Sequence, residues 1–186
     1  MSYFTDMWRI VPERQVGTAK IVHDSPDSLV RLRAQMHGQP LRLDKYTRLF
    51  IGREVWMTDA EYERRTNIGV VSAAQGNVLV AGLGIGMILV PILKKSEVQH
   101  VTVIERSQDV IDLVAPHFNS PKLTVICADI YTWKPPKGSK WDVIYFDIWP
   151  NICADNLKSM AKLHMKYGRY LQGKRWMNSW CKDALK

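Results

Sequence analysis

Long apolar runs are missing from this sequence. The longest, residues 85–93, contains Gly86 and Pro91 and falls far short of the roughly 18 residues that a membrane-spanning helix needs, so no membrane partner is expected. Cysteine is scarce. Cys127, Cys153 and Cys181 are odd in number, widely spaced and free of any C-x-x-C pair, so neither a disulfide framework nor a zinc site is expected. His23, His37, His100, His117 and His164 show no metal-ligand spacing, and no metal is expected. The opening residues lack a basic stretch followed by an apolar block, so the expectation is a cytoplasmic protein without a secretory leader.

Acidic residues are thinnest toward the C-terminal end. Residues 151–186 hold Lys158, Lys162, Lys166, Arg169, Lys174, Arg175, Lys182 and Lys186 against only Asp155 and Asp183, which places +6 of the formal net charge of +8 there. A basic appendage on a near-neutral body points to an acidic partner, nucleic acid first, or to a solvated basic helix face.

What is present suits one globule. The 186 residues are 46% apolar, enough to bury a core of ordinary size. Three parts are expected within it: an N-terminal segment with a β-hairpin and a helix (1–76), a core of alternating strands and helices (77–150), and a basic helical segment (151–186). The first 40 residues, broken by Pro12, Gly17, Pro26, Gly38 and Pro40, read as irregular or short helical structure, with Asp27 capping a helix that reaches Met36. The alternation of Leu41, Leu43, Leu49, Val55 and Met57 with polar residues predicts a hairpin turning at Gly52. Thr58 or Asp59 then caps a helix with Glu61 and Glu63 in its first turn.

From Asn77 the pattern changes. Continuous apolar runs at 77–82, 100–105, 123–128 and 141–146 predict strands buried on both faces, with helices over 86–95 and 108–117 between them. Strand and helix in alternation give an α/β fold: a Rossmann-like, doubly wound, mostly parallel sheet with an N-terminal hairpin and a helical C-terminus. In the last segment Leu157, Met160, His164, Tyr167 and Leu171 recur at helical spacing until Gly173.

The chemistry gathers at the ends of those strands. Gly82, Gly84 and Gly86 stand as G-x-G-x-G between a strand and a helix, where glycines let the backbone turn sharply and a ligand approach it. A dinucleotide fingerprint would place its third glycine at position 87, which is Met87, and this argues against a nicotinamide cofactor. Glu105 ends the second strand, where an open sheet presents a carboxylate to ribose hydroxyls. Asp129 ends the third and is placed to accept from an adenine amino group, and Asp147 ends the fourth. The alternative is that these acids cap the helices that follow them.

With VLVAGLGIG, VTVIER, VICADI and VIYFDIWP, residues 77–149 resemble the class I S-adenosylmethionine-dependent methyltransferase fold. The preceding GREVWMTDAEYERRTN is similar to the hairpin and helix of the spermidine synthase branch. The resemblance implies S-adenosylmethionine as cofactor. It places Gly82, Gly84 and Gly86 at the cofactor's amino-acid end, Glu105 on its ribose, and Asp129 with the Ile130 backbone on its adenine. Asp147 joins these cofactor-binding residues, and it and Trp149 become the candidates at the reacting centre, Asp147 orienting or deprotonating an attacking amine and Trp149 stacking on a planar substrate. A turn in which Trp149 packs on the terminal helix is the alternative.

Two departures lower the aminopropyltransferase reading below methyl transfer. Spermidine synthases carry an acid inside the glycine loop, where this chain has Ile85, and another three residues beyond Asp147, where it has Pro150. The family's further strands are not evident either, so the sheet is expected to be abbreviated, with an exposed edge that favours a homo-oligomer. The readings are therefore a methyltransferase for an unidentified acceptor, an aminopropyltransferase, or a non-catalytic nucleoside-binding module. Arg64, Arg65 and Asn67 fall where the related family builds its substrate gate, with helix-surface charge as the simpler expectation for both arginines. Trp176 and Trp180 are expected to anchor the tail, or to stack on bases beside Lys174, Arg175 and Lys182.

Overall fold

The computed structural model describes residues 4–26 and 45–185, and the expected helix from Asp27 to Met36 and strand positions Leu41 and Leu43 lie outside them. Two sheets make up the molecule. The first is antiparallel, in the order β1 (Arg14–Val16), β2 (Ala19–Asp24), β3 (Tyr46–Ile51), β4 (Glu54–Thr58). The expected hairpin is its β3–β4 pair. The β1–β2 hairpin replaces the irregular structure expected there. Ala19 and Ile21 alternate inward along β2, a short period-two signal masked by the prolines around it.

The second sheet holds five parallel strands in the order β7-β6-β5-β8-β9. Its strands β5 (Gly76–Ala81), β6 (Val98–Glu105), β7 (Leu123–Cys127) and β8 (Trp141–Phe146) fall within a residue or two of the apolar runs. Alternate residues of β5 and β8 feed two cores. Val78, Val80, Val143 and Tyr145 face a cluster shared with the first sheet, whereas Leu79, Ala81, Ile144 and Phe146 face a second cluster. Helices α1 (Glu61–Thr66) and α2 (Ile68–Ala73) precede β5, α3 (Leu89–Leu93) and α4 (Gln108–Val114) flank β6, and α5 (Asn156–Gly168) covers the second cluster. Helix α3 is shorter than the expected 86–95, and Gly86, at φ +74°, lies outside the right-handed helical region.

The C-terminal segment departs most from expectation. Helix α5 ends at Gly168, and Leu171–Ser179 form β9, paired parallel to β8 with Phe146 opposite Ser179. Trp176 packs on the first core and Met177 on the second, the alternation of a strand rather than of a helix. The edge expected beside β8 is thus covered, and β7 and β9 are the outer strands.

One buried knot fixes α1. Asp59 does not cap the helix, whose N-cap is Ala60 without a side-chain bond. Its carboxylate, wholly buried, accepts from the backbone N–H groups of Met7 (2.8 Å) and Thr47 (2.6 Å) and from Arg64 Nη2 (3.0 Å). Arg64 Nη2 also meets Asp6 Oδ1 at 3.1 Å, so Arg64 is an interior cation rather than the surface charge expected. Arg65 is exposed, as expected.

Candidate active site

Parallel strands end in a row, and ligands of α/β sheets bind beyond their carboxyl ends. A cavity of about 310 Å³ lies there, between the parallel sheet and the β3–β4 hairpin. Gly82, Glu105, Asp129 and Asp147, which stand at the ends of β5, β6, β7 and β8, all line it, together with Gly84, Ile130 and Trp149. Trp56 and Met57 of β4 lie over it, and Glu63 of α1 and Trp180 beyond β9 close it.

Gly82 and Gly84 line the cavity in backbone conformations that favour glycine. Gly82 has φ +96°, and a Cβ on it would collide with the backbone carbonyl of Asp147. Gly84 has φ +52° and lies against the Met57 thioether. Gly86, expected at the same end of the cofactor, is not among the residues lining the cavity, and its close neighbour is the Phe118 ring.

Glu105 is held by the backbone. Its Oε2 accepts from Leu83 N–H (2.9 Å) and its Oε1 from Ser107 N–H (2.9 Å). Each carboxylate oxygen has two lone pairs, so each keeps one for a ligand hydroxyl. Asp129 Oδ1 accepts from Tyr131 N–H at 2.7 Å, which turns the chain at the end of β7. Helix α5 then clamps that turn. Lys166 Nζ donates to the carbonyls of Ile130 (3.1 Å), Tyr131 (2.8 Å) and Trp133 (2.7 Å), and the Tyr167 hydroxyl donates to Ile130 O (2.8 Å).

Asp147 and Glu63 form the electrostatic centre. Burial, then the charge of Glu63, pushes the Asp147 carboxyl up to about 8. Burial alone pushes Glu63 up to about 7. The Tyr145 hydroxyl, raised well above its ordinary value mainly by burial, donates to Asn67 Oδ1 at 3.1 Å. Asn67, wholly buried, in turn donates through Nδ2 to the Glu63 carbonyl (3.0 Å), so one side chain joins β8 to α1. Glu63 had been legible only as a helix-dipole acid.

Trp149 lines the cavity and also packs on the terminal helix, its indole N–H donating to Ser159 Oγ at 2.9 Å. Trp180 is buried, with its indole N–H on Thr66 Oγ1 (3.0 Å), and Trp176 packs on Tyr145 with ring centroids 6.0 Å apart. Both therefore anchor the tail to the body.

No protein-family model and no curated protein matches the chain. Among solved structures it is similar to the CcbJ methyltransferase from Streptomyces caelestis (17% identity, TM-score 0.46, covering 59% of this chain and 45% of that one). It is similar also to SAM-bound CalS10 from Micromonospora echinaspora, an amino pentose methyltransferase involved in calicheamicin biosynthesis (17%, 0.44, 62% and 47%). A third is the N-methyltransferase NodS from Bradyrhizobium japonicum WM9 (16%, 0.47, 61% and 65%). The chain thus spans less than half the length of the first two.

The basic segment is partly committed to structure. Lys166 belongs to the clamp, and Lys182 Nζ lies 3.3 Å from His164 Nδ1. That ammonium makes Nδ1 the acceptor and leaves Nε2–H to donate to Ser179 Oγ (2.9 Å). Burial, with Lys182 beside it, pushes His164 down to about 4. Lys158, Lys162 and Arg169 are exposed, whereas the side chains of Lys174 and Arg175, and Lys186, lie outside the described residues. Among the described residues no acid–histidine–cysteine cluster forms a metal site, and no helix is long and apolar enough to cross a membrane.

Proposed function

We propose that this cavity binds S-adenosylmethionine and that the chain transfers the cofactor's methyl group to a nucleophile held at Asp147. The carrying observation is that four neighbouring strand ends deliver Gly82, Glu105, Asp129 and Asp147 to one cavity. The residues fit such a ligand. Glu105 has lone pairs left for ribose hydroxyls, and Asp129 and the Ile130 backbone stand on a clamped turn suited to adenine. Gly82 and Gly84 keep the loop bare of side chains on the amino-acid side, with Gly86 completing the turn of the loop.

When bound, the cofactor supplies a methyl group on an already reactive sulfonium, so the protein's task is positioning and exclusion of water. Ile104, Ile148, Trp56, Trp149 and Trp180 supply the apolar part of the wall. Asp147, protonated for the most part at neutral pH, loses its proton when a cation or donor approaches and then orients the nucleophile or takes a proton from it. Aminopropyl transfer ranks second, since Ile85 and Pro150 leave the family's substrate carboxylates unsupplied at those positions.

Titration calorimetry with S-adenosylmethionine, S-adenosylhomocysteine, methylthioadenosine and NAD tests the reading. Binding of the first two, abolished by Glu105→Ala, is the expected result. A preference for methylthioadenosine would favour aminopropyl transfer, and silence with all four would remove both.

A further inference from the structure

One wall of the cavity carries two acids from different elements, α1 and the end of β8. Glu63 and Asp147 line it, and among the described residues neither carboxylate has a hydrogen-bond or ion-pair partner. The groups around them offer no compensating charge. Arg64 is turned into the Asp59–Asp6 knot, and the Arg106 guanidinium lies over the Trp56 ring, 5.4 Å from its centroid. The Tyr145 hydroxyl donates to Asn67, and the Tyr62 hydroxyl meets the Cys181 thiol at 4.0 Å. Ile148, Trp149 and Trp180 complete this end. Two half-buried acids that feel each other's charge, with aromatic neighbours and no paired cation, are unfavourable as ions, and a cation entering the cavity beside them relieves that repulsion. Indole faces favour a cation as well.

We propose that the acceptor is a small organic amine bound as its ammonium ion, with the nitrogen between Glu63 and Asp147 and an apolar body against Trp149 and Trp180. This rests on the methyl-transfer reading above. Glu63 selects the cation and Asp147 handles its proton. Entry of the ammonium releases to solvent the proton that Asp147 holds in the free protein. The ammonium then gives one proton to the Asp147 carboxylate. Its freed lone pair forms the new N–C bond while the methyl carbon's bond to sulfur breaks, the electron pair staying on sulfur. The product leaves as the methylated ammonium ion, and Asp147 keeps the proton. The raised carboxyls of both acids agree with this, since they store protons that a cation displaces.

Calorimetry with phenethylamine and its neutral isostere 2-phenylethanol, with and without S-adenosylhomocysteine, tests the inference. The amine is expected to bind at least about tenfold more tightly than the alcohol, as charge-assisted hydrogen bonds imply. Titration in phosphate and in Tris, buffers of different ionisation heat, is expected to show proton release. Glu63→Gln should erase most of the amine preference and leave S-adenosylhomocysteine affinity unchanged. Equal affinity of the unaltered protein for amine and alcohol would overturn the inference with no variant needed. So would a preference that survives both Glu63→Gln and Asp147→Asn. Amine preference without S-adenosylhomocysteine binding would keep the cation site and remove the methyl-transfer reading instead.

Discussion

The backbone carbonyl of Asp147 occupies the space that a Cβ on Gly82 would need. The backbones just beyond β5 and β8 therefore lie close together, and both Gly82 and Asp147 line the cavity there. Gly82→Ala must move backbone, not a flexible side chain, and must do so at φ +96°. Overpacking of this kind destabilises by roughly 1–3 kcal/mol, and the left-handed conformation adds about 1–2 kcal/mol. Urea unfolding should show the loss, and calorimetry should show S-adenosylhomocysteine binding reduced with it. An alanine variant of unchanged midpoint would disprove the close packing.

Arg64 supplies a second prediction. Its guanidinium is buried against Asp59, which is wholly enclosed. Removing one partner of a buried pair leaves an uncompensated charge, at about 3–5 kcal/mol. Arg64→Ala should therefore lower the unfolding midpoint sharply, whereas Arg65→Ala, on the exposed side of the same helix, should change it little. Similar effects for the two would place Arg64 at the surface after all.

The four apolar runs and the residue closing each were readable because a strand buried on both faces leaves a continuous signal, and topology alone then brings Glu105, Asp129 and Asp147 together. Glu63 was not readable as a cavity residue. Its position depends on Arg64 finding Asp6, 58 residues away, and on Asn67 finding Tyr145, 78 residues away. Strand β9 was hidden for a different reason. Leu171 continues the helical spacing of Leu157, Met160, His164 and Tyr167, while Gly173 and the basic residues beside it obscure the alternation of Trp176 and Met177. Gly86 fits a ligand loop by spacing, and only the Phe118 ring lying against it shows a packing role.

The pH dependence of stability has a definite sign. Asp147 and Glu63 titrate higher in the folded chain, at about 8 and about 7, than their ordinary 3.8 and 4.5. The stability linked to their protonation is full below pH 4 and is lost as pH rises through 7 and 8. His164 has the opposite sense. Pushed down to about 4, it contributes stability above its ordinary 6.5 that is lost as pH falls toward 4. Between pH 7.5 and 8.5 the histidine is neutral in both states, so the carboxylates should dominate and make stability fall, by a value on the order of 1 kcal/mol. Chemical denaturation across that window checks this. Glu63→Gln combined with Asp147→Asn should flatten the profile, and an unaltered slope in that variant would mean other groups set it.

Lys166 joins the basic helix to the cavity. Its ammonium satisfies three carbonyls between Ile130 and Trp133, and burial, with Arg169 and Lys134 nearby, lowers its pKa against the pull of Asp129. Lys166→Met keeps the aliphatic stem and removes the donor. Hydrogen bonds to a charged group contribute about 1.5–3 kcal/mol, less where water replaces the donor, and these carbonyls are only partly buried. The expected loss is therefore about 1–2 kcal/mol. The distinguishing readout is local: amide exchange should accelerate over residues 129–133 but not in β5. Because Asp129 and Ile130 sit on that turn, adenosine-containing ligands should bind more weakly, whereas Lys162→Met, an exposed charge on the same helix, should leave both exchange and affinity unchanged. Equal effects of the two substitutions would mean that the helix acts through its overall charge rather than through the clamp.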